Sequence, residues 1–357
     1  MKKSFFFSIL FSYHWAAPKK YPWLLIIFIF FYVIDISNAH HSDAGYDEDS
    51  IVSFNGIVTE FSWRQPHAYI TIETTENGEA VSWEIQMGAP NVLQRRGWNS
   101  QSLSIGDEVF FRGSPMIGKQ YAKIISIEKS NGDPVAIAPG ETVEQQTTNT
   151  LSGRWIADRE MFHLYPGGFD GFFLHFLKLT KKGQAAKDSY NPLSEENPES
   201  TCVGRPTPAA LVSTWIYLME IDIKEKEEGI IYLRSEWFDE ERIVFMDGRK
   251  HPNNETFVAG HSIGWWEGET LVVDTSNFDD HRSPYQIGVP SGSKKHVVEK
   301  YTLTSDGSSI EMEFTLEDPE YLAEPFVHQR RLLYAPHMQM FVGECDPETT
   351  RRFLSQN

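Results

Sequence analysis

Cysteine is scarce in this chain of 357 residues, which contains only Cys202 and Cys345. Two cysteines are too few for a metal site built on thiolates alone, and too few for the framework of a disulfide-rich mini-protein. They allow one structural bridge if the protein enters an oxidising compartment, and two free buried thiols are the alternative. We therefore predict a single disulfide between Cys202 and Cys345.

Positive charge is also in short supply, and no run of basic residues occurs anywhere in the chain. The formal net charge is −18, and residues 40–135 contain thirteen acidic but only seven basic side chains. Proteins that bind nucleic acid rely on basic surfaces to neutralise the phosphate backbone. The composition therefore argues against nucleic acid as a partner.

Long apolar runs are missing too, since the longest covers about 12 residues at 23–34. A spanning helix needs roughly 20, whereas this length suits the core of a signal peptide. Four lysines precede the run, and Ser37 and Ala39 provide the small residues of a cleavage site. We expect residues 1–39 to be a signal peptide and the mature protein to be periplasmic or secreted. An uncleaved anchor at 23–34, the only case in which membrane would be a partner, is the alternative.

Residues 40–135 have the pattern of a small β domain, with runs rich in β-branched and aromatic residues separated by turn signals. Pro90 and Gly97 carry the start and stop signals of a short helix between the third and fourth runs. Three strands, a helix and two strands are the order of an OB-like five-stranded barrel. The predicted strands are 51–63, 68–74, 80–87, 108–113 and 121–128.

A polar linker at 136–150 separates this domain from residues 151–357, which predict a larger antiparallel β-sandwich or barrel. Within that region we interpret the polar segment 181–201 as a surface loop and the aromatic segment 161–177 as a core hairpin. The fold class is therefore all-β. The predicted strands are 229–237, 242–246, 270–275, 296–303 and 309–316.

Several motifs resemble a family of exported bacterial proteins known only as a domain of unknown function. They are the start H-H-S at 40–42, G-I-V-T-E-F-S-W at 56–63 with P-H-A at 66–68, and W-E-I-Q-M-G-A-P-N-V-L-Q-R-R-G-W at 83–98. The second half resembles a region often joined to that family, through C-V-G-R-P, D-G-R-K-H-P and G-H-S-I-G-W-W-E-G-E-T-L-V-V-D-T. The resemblance implies a β fold and export, and it implies no activity.

Three histidines form the first candidate site. Cleavage after Ala39 would make His40 the first residue, so that its amine and imidazole could chelate one ion, with His41 beside it and His67 as a further imidazole. Nitrogen-rich sites favour copper among the divalent first-row metals. Further weak ligands could come from Met87, Asp43 or Asp47.

A mobile tail and a structural strand-end histidine are the alternative interpretation of the same residues. If the metal binds, a carrier needs only the ligands, whereas an oxygenase also needs a substrate-binding face. We therefore expect a metal-binding protein in preference to an enzyme.

A second constellation lies at 247–275 and is dense in acid–base groups, namely Asp247, Arg249, His251, His261, Trp265 and Asp274. One interpretation is a metal-free ligand-binding or assembly module centred on the second domain, and another is a set of structural hairpins with Trp265 and Trp266 in the core. Hydrolysis through His261 or His251 lacks a recognisable nucleophile. The neighbouring Ser262 should face the opposite side of a strand from His261, and no G-x-S-x-G elbow occurs.

Overall fold

The computed structural model describes residues 46–47, 49–135, 145–158, 160–161, 168–341, 343 and 345–352. The predicted signal peptide, its apolar run, His40, His41, Asp43 and most of the predicted linker lie outside these residues. The described chain forms two closed β-barrels within one compact unit.

The first barrel has five strands and one short helix, as predicted. Its strands follow the order β1-β2-β3-β5-β4 and close from β4 onto β1, with only β3 and β5 running parallel. The elements are β1 (Val52–Ser62), β2 (Tyr69–Glu76), β3 (Glu79–Gln86), α1 (Pro90–Gln94), β4 (Glu108–Pro115) and β5 (Tyr121–Lys129).

Local sequence explains much of this barrel. Asn77 and Gly78 have φ values of 52° and 87°, the left-handed conformations that a tight two-residue hairpin turn requires between β2 and β3. Alternate residues of β2 such as Ile70 and Ile72 are fully buried, which is the period expected of a strand with one face in the core. Helix α1 begins at Pro90, whose fixed φ suits the first helical turn.

The second barrel has nine strands in the order β10-β11-β12-β13-β14-β6-β7-β8-β9. Its neighbours pair antiparallel except β9 and β10, which close the barrel in parallel. All five predicted strands are present, whereas β6, β7, β10 and β14 were not predicted. The strands are β6 (Gly153–Ala157), β7 (Met219–Lys224), β8 (Ile230–Ser235), β9 (Glu241–Phe245), β10 (His261–Glu267), β11 (Thr270–Ser276), β12 (His296–Leu303), β13 (Ser309–Glu317) and β14 (Phe326–Tyr334).

The structure corrects the interpretation of the aromatic segment and, over its first eight residues, that of the polar segment. The aromatic segment contains helix α2 (Gly168–Phe176), which buries Phe172 and Phe173 in the core but forms no hairpin over its described residues. The polar segment begins with helix α3 (Lys181–Asp188), because Thr180 caps it by accepting a hydrogen bond from the Gly183 amide at 3.1 Å. The remaining short helices are α4 (Ala209–Val212), α5 (Glu225–Glu228) and α6 (Pro347–Thr350).

Candidate functional site

A cavity of about 890 Å³ opens between the two barrels. The first barrel contributes the strand ends around His67 and Met87 together with helix α1. The second barrel contributes aromatic side chains, among them Trp215, Tyr217 and Trp237. Large concave sites with apolar walls and a few polar groups are the usual places for ligands, so this cleft is the first candidate site.

His67 stands on the first-barrel wall of the cleft and is half-buried. The backbone that follows it is held by hydrogen bonds from the Met87 amide to the Ala68 carbonyl, 2.9 Å, and from the Ala68 amide to the Gly88 carbonyl, 3.2 Å. Its Nδ1 lies 3.2 Å from the Met87 carbonyl oxygen. Because a carbonyl only accepts, Nδ1 donates, and the lone pair of the neutral ring is on Nε2.

The described chain begins beside the same wall. The Tyr46 hydroxyl donates to Oε1 of Gln86 at 3.1 Å, and Gln86 lies opposite Tyr69 in the β2–β3 ladder and lines the cleft. Five residues lie between His40 and Tyr46, a segment that spans at most about 20 Å when fully extended. Cleavage after Ala39 would therefore leave the new terminus at most about 20 Å from Tyr46.

Two of the three accessory ligands considered for His67, namely Met87 and Asp47, are in the described part of the chain, and their surroundings differ. Met87 is buried and lines the cleft. The Asp47 carboxylate instead bonds to the Asp49 amide and the Ser50 hydroxyl in a local turn. Of the two, Met87 is the one that the structure brings to His67.

An ion pair between Arg95 and Glu236 joins the barrels at the cleft. Arg95 Nη1 lies 2.9 and 2.8 Å from the two carboxylate oxygens, and Nη2 donates to the Ile216 carbonyl at 2.6 Å. The Glu236 side chain is fully buried. Sequence reasoning did not identify this pair, although the adjacent Arg95 and Arg96 are unusual in a mostly acidic domain and could have indicated an ion pair.

The disulfide between Cys202 and Cys345 is present, as predicted, with a Cα–Cα distance of 5.9 Å in the usual range. It anchors the C-terminal tail beside the segment that leads to His67. The Asp346 amide donates to the Gln65 carbonyl at 3.0 Å, and the Asp346 carboxylate pairs with Arg64. This hydrogen-bonded pair lowers the pKa of Asp346.

The second constellation is on the outer face of the nine-stranded barrel, where three predicted residues and one unpredicted residue come together. His251 Nδ1 lies 2.9 Å from His261 Nδ1, and His251 Nε2 lies 3.0 Å from Asp274 Oδ1. His296 Nε2 lies 2.9 Å from the same carboxylate oxygen. We call these four residues the histidine cluster. His296 was detectable in principle, because it begins a predicted strand.

Electrostatics couple the members of the histidine cluster. Burial alone would raise the pKa of Asp274, but the hydrogen bonds and charges of His296 and His251 lower it below its usual value. The Asp274 hydrogen bond raises the pKa of His296. Burial is the largest cause that lowers the pKa of His261, and its electrostatic interactions with His251 and Arg249 act in the same direction. The cluster therefore favours an ionised Asp274 beside a protonated His296.

The other predicted members of this constellation are not part of the cluster. Asp247 and Arg249 form an exposed ion pair at 2.6 Å, and Arg249 lies 3.7 Å above the Phe245 ring. Trp265 and Trp266 are 40% and 36% exposed, so their assignment to the core was wrong. Gly264, which directly precedes Trp265 in β10, faces Val244 and Met246, and a side chain at this position would collide with both.

Ser262 lies on the opposite face of β10 from His261, as its position in the strand predicts. It is buried, and its hydroxyl lies 2.9 Å from that of Thr275. A Ser–His nucleophilic pair therefore does not form between these neighbours. Throughout the described ranges, no group of three or more His, Cys, Asp or Glu side chains has an arrangement that could hold a metal ion.

The fold and the bridge define a two-barrel, all-β protein whose disulfide is consistent with an oxidising, extracytoplasmic compartment. Residues 32–122 match the model of a family of unknown function (DUF6152), a match that covers β1 to β4 of the first barrel. None of the curated proteins matches this chain. No helix in the part of the chain that the structure describes has the length and apolarity to cross a membrane.

Proposed function

We propose that this protein binds a metal ion, copper, at the first-barrel edge of the cleft, through His67 and the histidines that begin the mature chain. The observation that carries the proposal is the hydrogen bond from His67 Nδ1 to the Met87 carbonyl. Metal-ligating imidazoles commonly donate their other ring N–H to a carbonyl, which orients the ring and leaves the lone pair on the ligating nitrogen. His67 has this arrangement on the cleft wall.

The ligand set supports copper among the available metals. An amine and an imidazole from His40, with His67 as a third nitrogen, form an all-nitrogen donor set, and His41 is an alternative imidazole in the same segment. Such sets bind copper more tightly than the other divalent first-row ions. The position of Tyr46 supports this assembly, because its bond to Gln86 holds the incoming chain next to the strand ends that carry His67.

Binding and carriage follow from these ligands more directly than catalysis. Carriage requires the donors and a route for the ion to enter and leave, and the open cleft provides such a route. Nucleophilic hydrolysis at the histidine cluster receives no support from Ser262, which faces into the barrel. We therefore propose an exported copper-binding protein.

The test uses mature protein that starts at His40, titrated with Cu²⁺ and followed by paramagnetic resonance. We expect one equivalent to give a type-two spectrum with nitrogen coupling, and His67→Ala to lose one nitrogen and weaken binding at least tenfold. A variant with one glycine before His40 keeps every imidazole but displaces the amine, and should weaken binding similarly. The exposed His337 provides the control His337→Ala. An unchanged spectrum in His67→Ala would refute the proposal.

Metal-free ligand binding is a second candidate function, and one observation favours it. The second barrel supplies an aromatic wall to the cleft, and this wall includes Trp215, Tyr217 and Trp237. Aromatic and apolar linings are typical of organic-ligand pockets. If mature protein stripped of metal by a chelator still retains an organic ligand, while Cu²⁺ binding is weak and insensitive to His67→Ala, this second function replaces the first.

A further inference from the structure

We propose that the cleft between the barrels binds an organic anion with a flat apolar body, such as an aromatic or polycyclic carboxylate or sulfonate. This inference rests on the second candidate function, metal-free ligand binding, and does not require copper. Three features of the cleft support it: a flat aromatic wall, an excess of cationic side chains, and a backbone held in costly conformations.

The apolar body is matched by aromatic rings on both sides of the cleft. Tyr217 and Trp237 stack on each other, with ring centroids 6.0 Å apart and planes within 4°, so the half-buried Tyr217 ring rests against the buried indole of Trp237. Phe238 and, from the first barrel, Trp98 also line the cleft. Planar rings bury large apolar areas at small entropic cost and stack on flat partners.

The charge of the lining is opposite to that of the protein. Arg95, Arg96, Lys123 and Arg205 line the cleft with Glu199 as the one lining carboxylate, whereas the chain carries a formal charge of −18. Arg95 and Arg205 pair with Glu236 and Glu199, respectively.

Arg96 differs from those two arginines, because it is exposed and has no acidic partner among the described residues. Guanidinium groups recognise carboxylate, sulfonate and phosphate oxygens with paired hydrogen bonds. Arg96 is therefore the side chain we assign to the anionic group of the ligand.

The backbone of the cleft wall is held in a conformation that side chains seldom adopt. Phe238 and Gln286 both line the cleft and have φ values of 55° and 63°, and Asp239 next to Phe238 has 50°. Left-handed conformations are energetically unfavourable for non-glycine residues, because Cβ crowds the following carbonyl oxygen. Such costs cluster at ligand sites, where the surrounding structure imposes them. The surrounding structure, and not the local backbone preference, therefore sets the shape of this part of the cleft wall.

The test compares two fluorescent probes that share a ring system, in the full mature protein with excess chelator to remove metal. The anion is 1-anilinonaphthalene-8-sulfonate, and its neutral counterpart is N-phenyl-1-naphthylamine. We expect the anion to bind saturably at one equivalent and about tenfold more tightly than the neutral probe, with unchanged near-ultraviolet circular dichroism.

Two variants test where the probes bind and which residue holds the anionic group. Arg96→Gln should weaken the anion about three- to tenfold and leave the neutral probe unaffected, because only one probe carries the charge. The control Arg112→Gln removes another exposed arginine of the same barrel that does not line the cleft. Val92→Trp adds bulk to a residue of α1 that lines the cleft, and should weaken both probes.

The outcomes separate the two claims. Equal affinity for both probes, or no effect of Arg96→Gln, overturns the anionic assignment and leaves the cleft as a site for neutral apolar ligands. Binding of both probes that is unaffected by Val92→Trp, or no saturable binding at all, overturns the cleft site itself. Neither result alters the copper titration, which is measured without probe.

Discussion

Arg95 of the first barrel and Glu236 of the second form a buried ion pair across the boundary between them, with both carboxylate oxygens within 2.9 Å of one guanidinium nitrogen. The carboxylate also accepts hydrogen bonds from the Leu218 amide at 2.8 Å and the Phe341 amide at 3.0 Å. Three separate segments therefore converge on one buried charge. The pair fixes the position of α1, and with it the first-barrel wall of the cleft.

Arg95→Ala should destabilise the protein strongly, because it leaves the Glu236 carboxylate buried without its cation. We expect the free energy of unfolding to fall by about 3–5 kcal/mol. Urea titration followed by far-ultraviolet circular dichroism measures this change. The control Arg331→Ala breaks an exposed pair with Glu311 at 3.2 Å and should cost at most about 1 kcal/mol. Equal losses in the two variants would contradict the role of the pair.

The double variant Cys202→Ser/Cys345→Ser should unfold at lower urea concentration than the parent protein. The bridge closes a loop with a sequence separation of 143 residues, so it restricts the unfolded chain considerably. Removing it should cost about 2–5 kcal/mol. Mass spectrometry of non-reduced peptides should recover the Cys202–Cys345 pair. Free thiols in the exported protein would argue against this prediction.

Asp274→Asn should alter how stability depends on pH. The raised pKa of His296 adds stability that is complete below 6.5 and is lost as the pH rises through the folded-state value. The lowered pKa of Asp274 adds stability above 3.8 that is lost as the pH falls through its folded-state value. The charge interaction is therefore greatest between about pH 4 and 6.5.

Relative to the parent protein, Asp274→Asn should therefore lower the free energy of unfolding more at pH 5.5 than at pH 8.5. The difference should be about 1 kcal/mol, since the groups are partly solvated. NMR titration of His296 should show its pKa shift towards the ordinary value. Asp280→Asn, which removes an exposed carboxylate, is the matched control. A loss of the same size at both pH values would contradict the coupling.

Lys295→Met should stabilise the protein at neutral and acidic pH. Burial lowers the pKa of Lys295 to about 7, although Asp318 and Glu240 act in the opposite direction. The unfolded chain then binds more protons than the native protein between about pH 7 and 10.5, so native stability rises with pH over that range. The gain from methionine should be on the order of a few kcal/mol at pH 6 and shrink towards pH 10.

Thermal unfolding across this pH range provides the measurement. Lys300→Met is the matched control, because Lys300 is an exposed residue of β12, the strand that directly follows Lys295. The control should change stability little at any pH. A gain for Lys295→Met that does not decrease as the pH rises would show that improved packing, and not charge burial, causes the effect.

Much of the fold was predictable because its signals are local. The five strands and short helix of the first barrel follow from strand-forming runs, from the Asn77-Gly78 turn and from Pro90. Strand β14 was not predicted because its inward positions include His328 and Arg330. These polar residues stand where the alternating pattern of a strand would have apolar ones. Arg330 is tolerated there because its Nη1 donates to the Leu211 and Val212 carbonyls.

The candidate sites were predictable only in part. Sequence reasoning singled out His67, and it grouped His251, His261 and Asp274 because they are close along the chain. It did not separate these three from Asp247 and Arg249, whose side chains pair with each other at the surface.

The sequence by itself determined the all-β class, the five-stranded barrel, the net negative charge and the pairing of the two cysteines. Tertiary structure alone decided which distant residues meet. Arg95 and Glu236 are 141 residues apart, and His296 lies 22 residues from Asp274. Such contacts depend on how the closed barrels set strand register and pack against each other, and no local propensity encodes that arrangement. The cleft exists only because two barrels with separate local signals fold against one another.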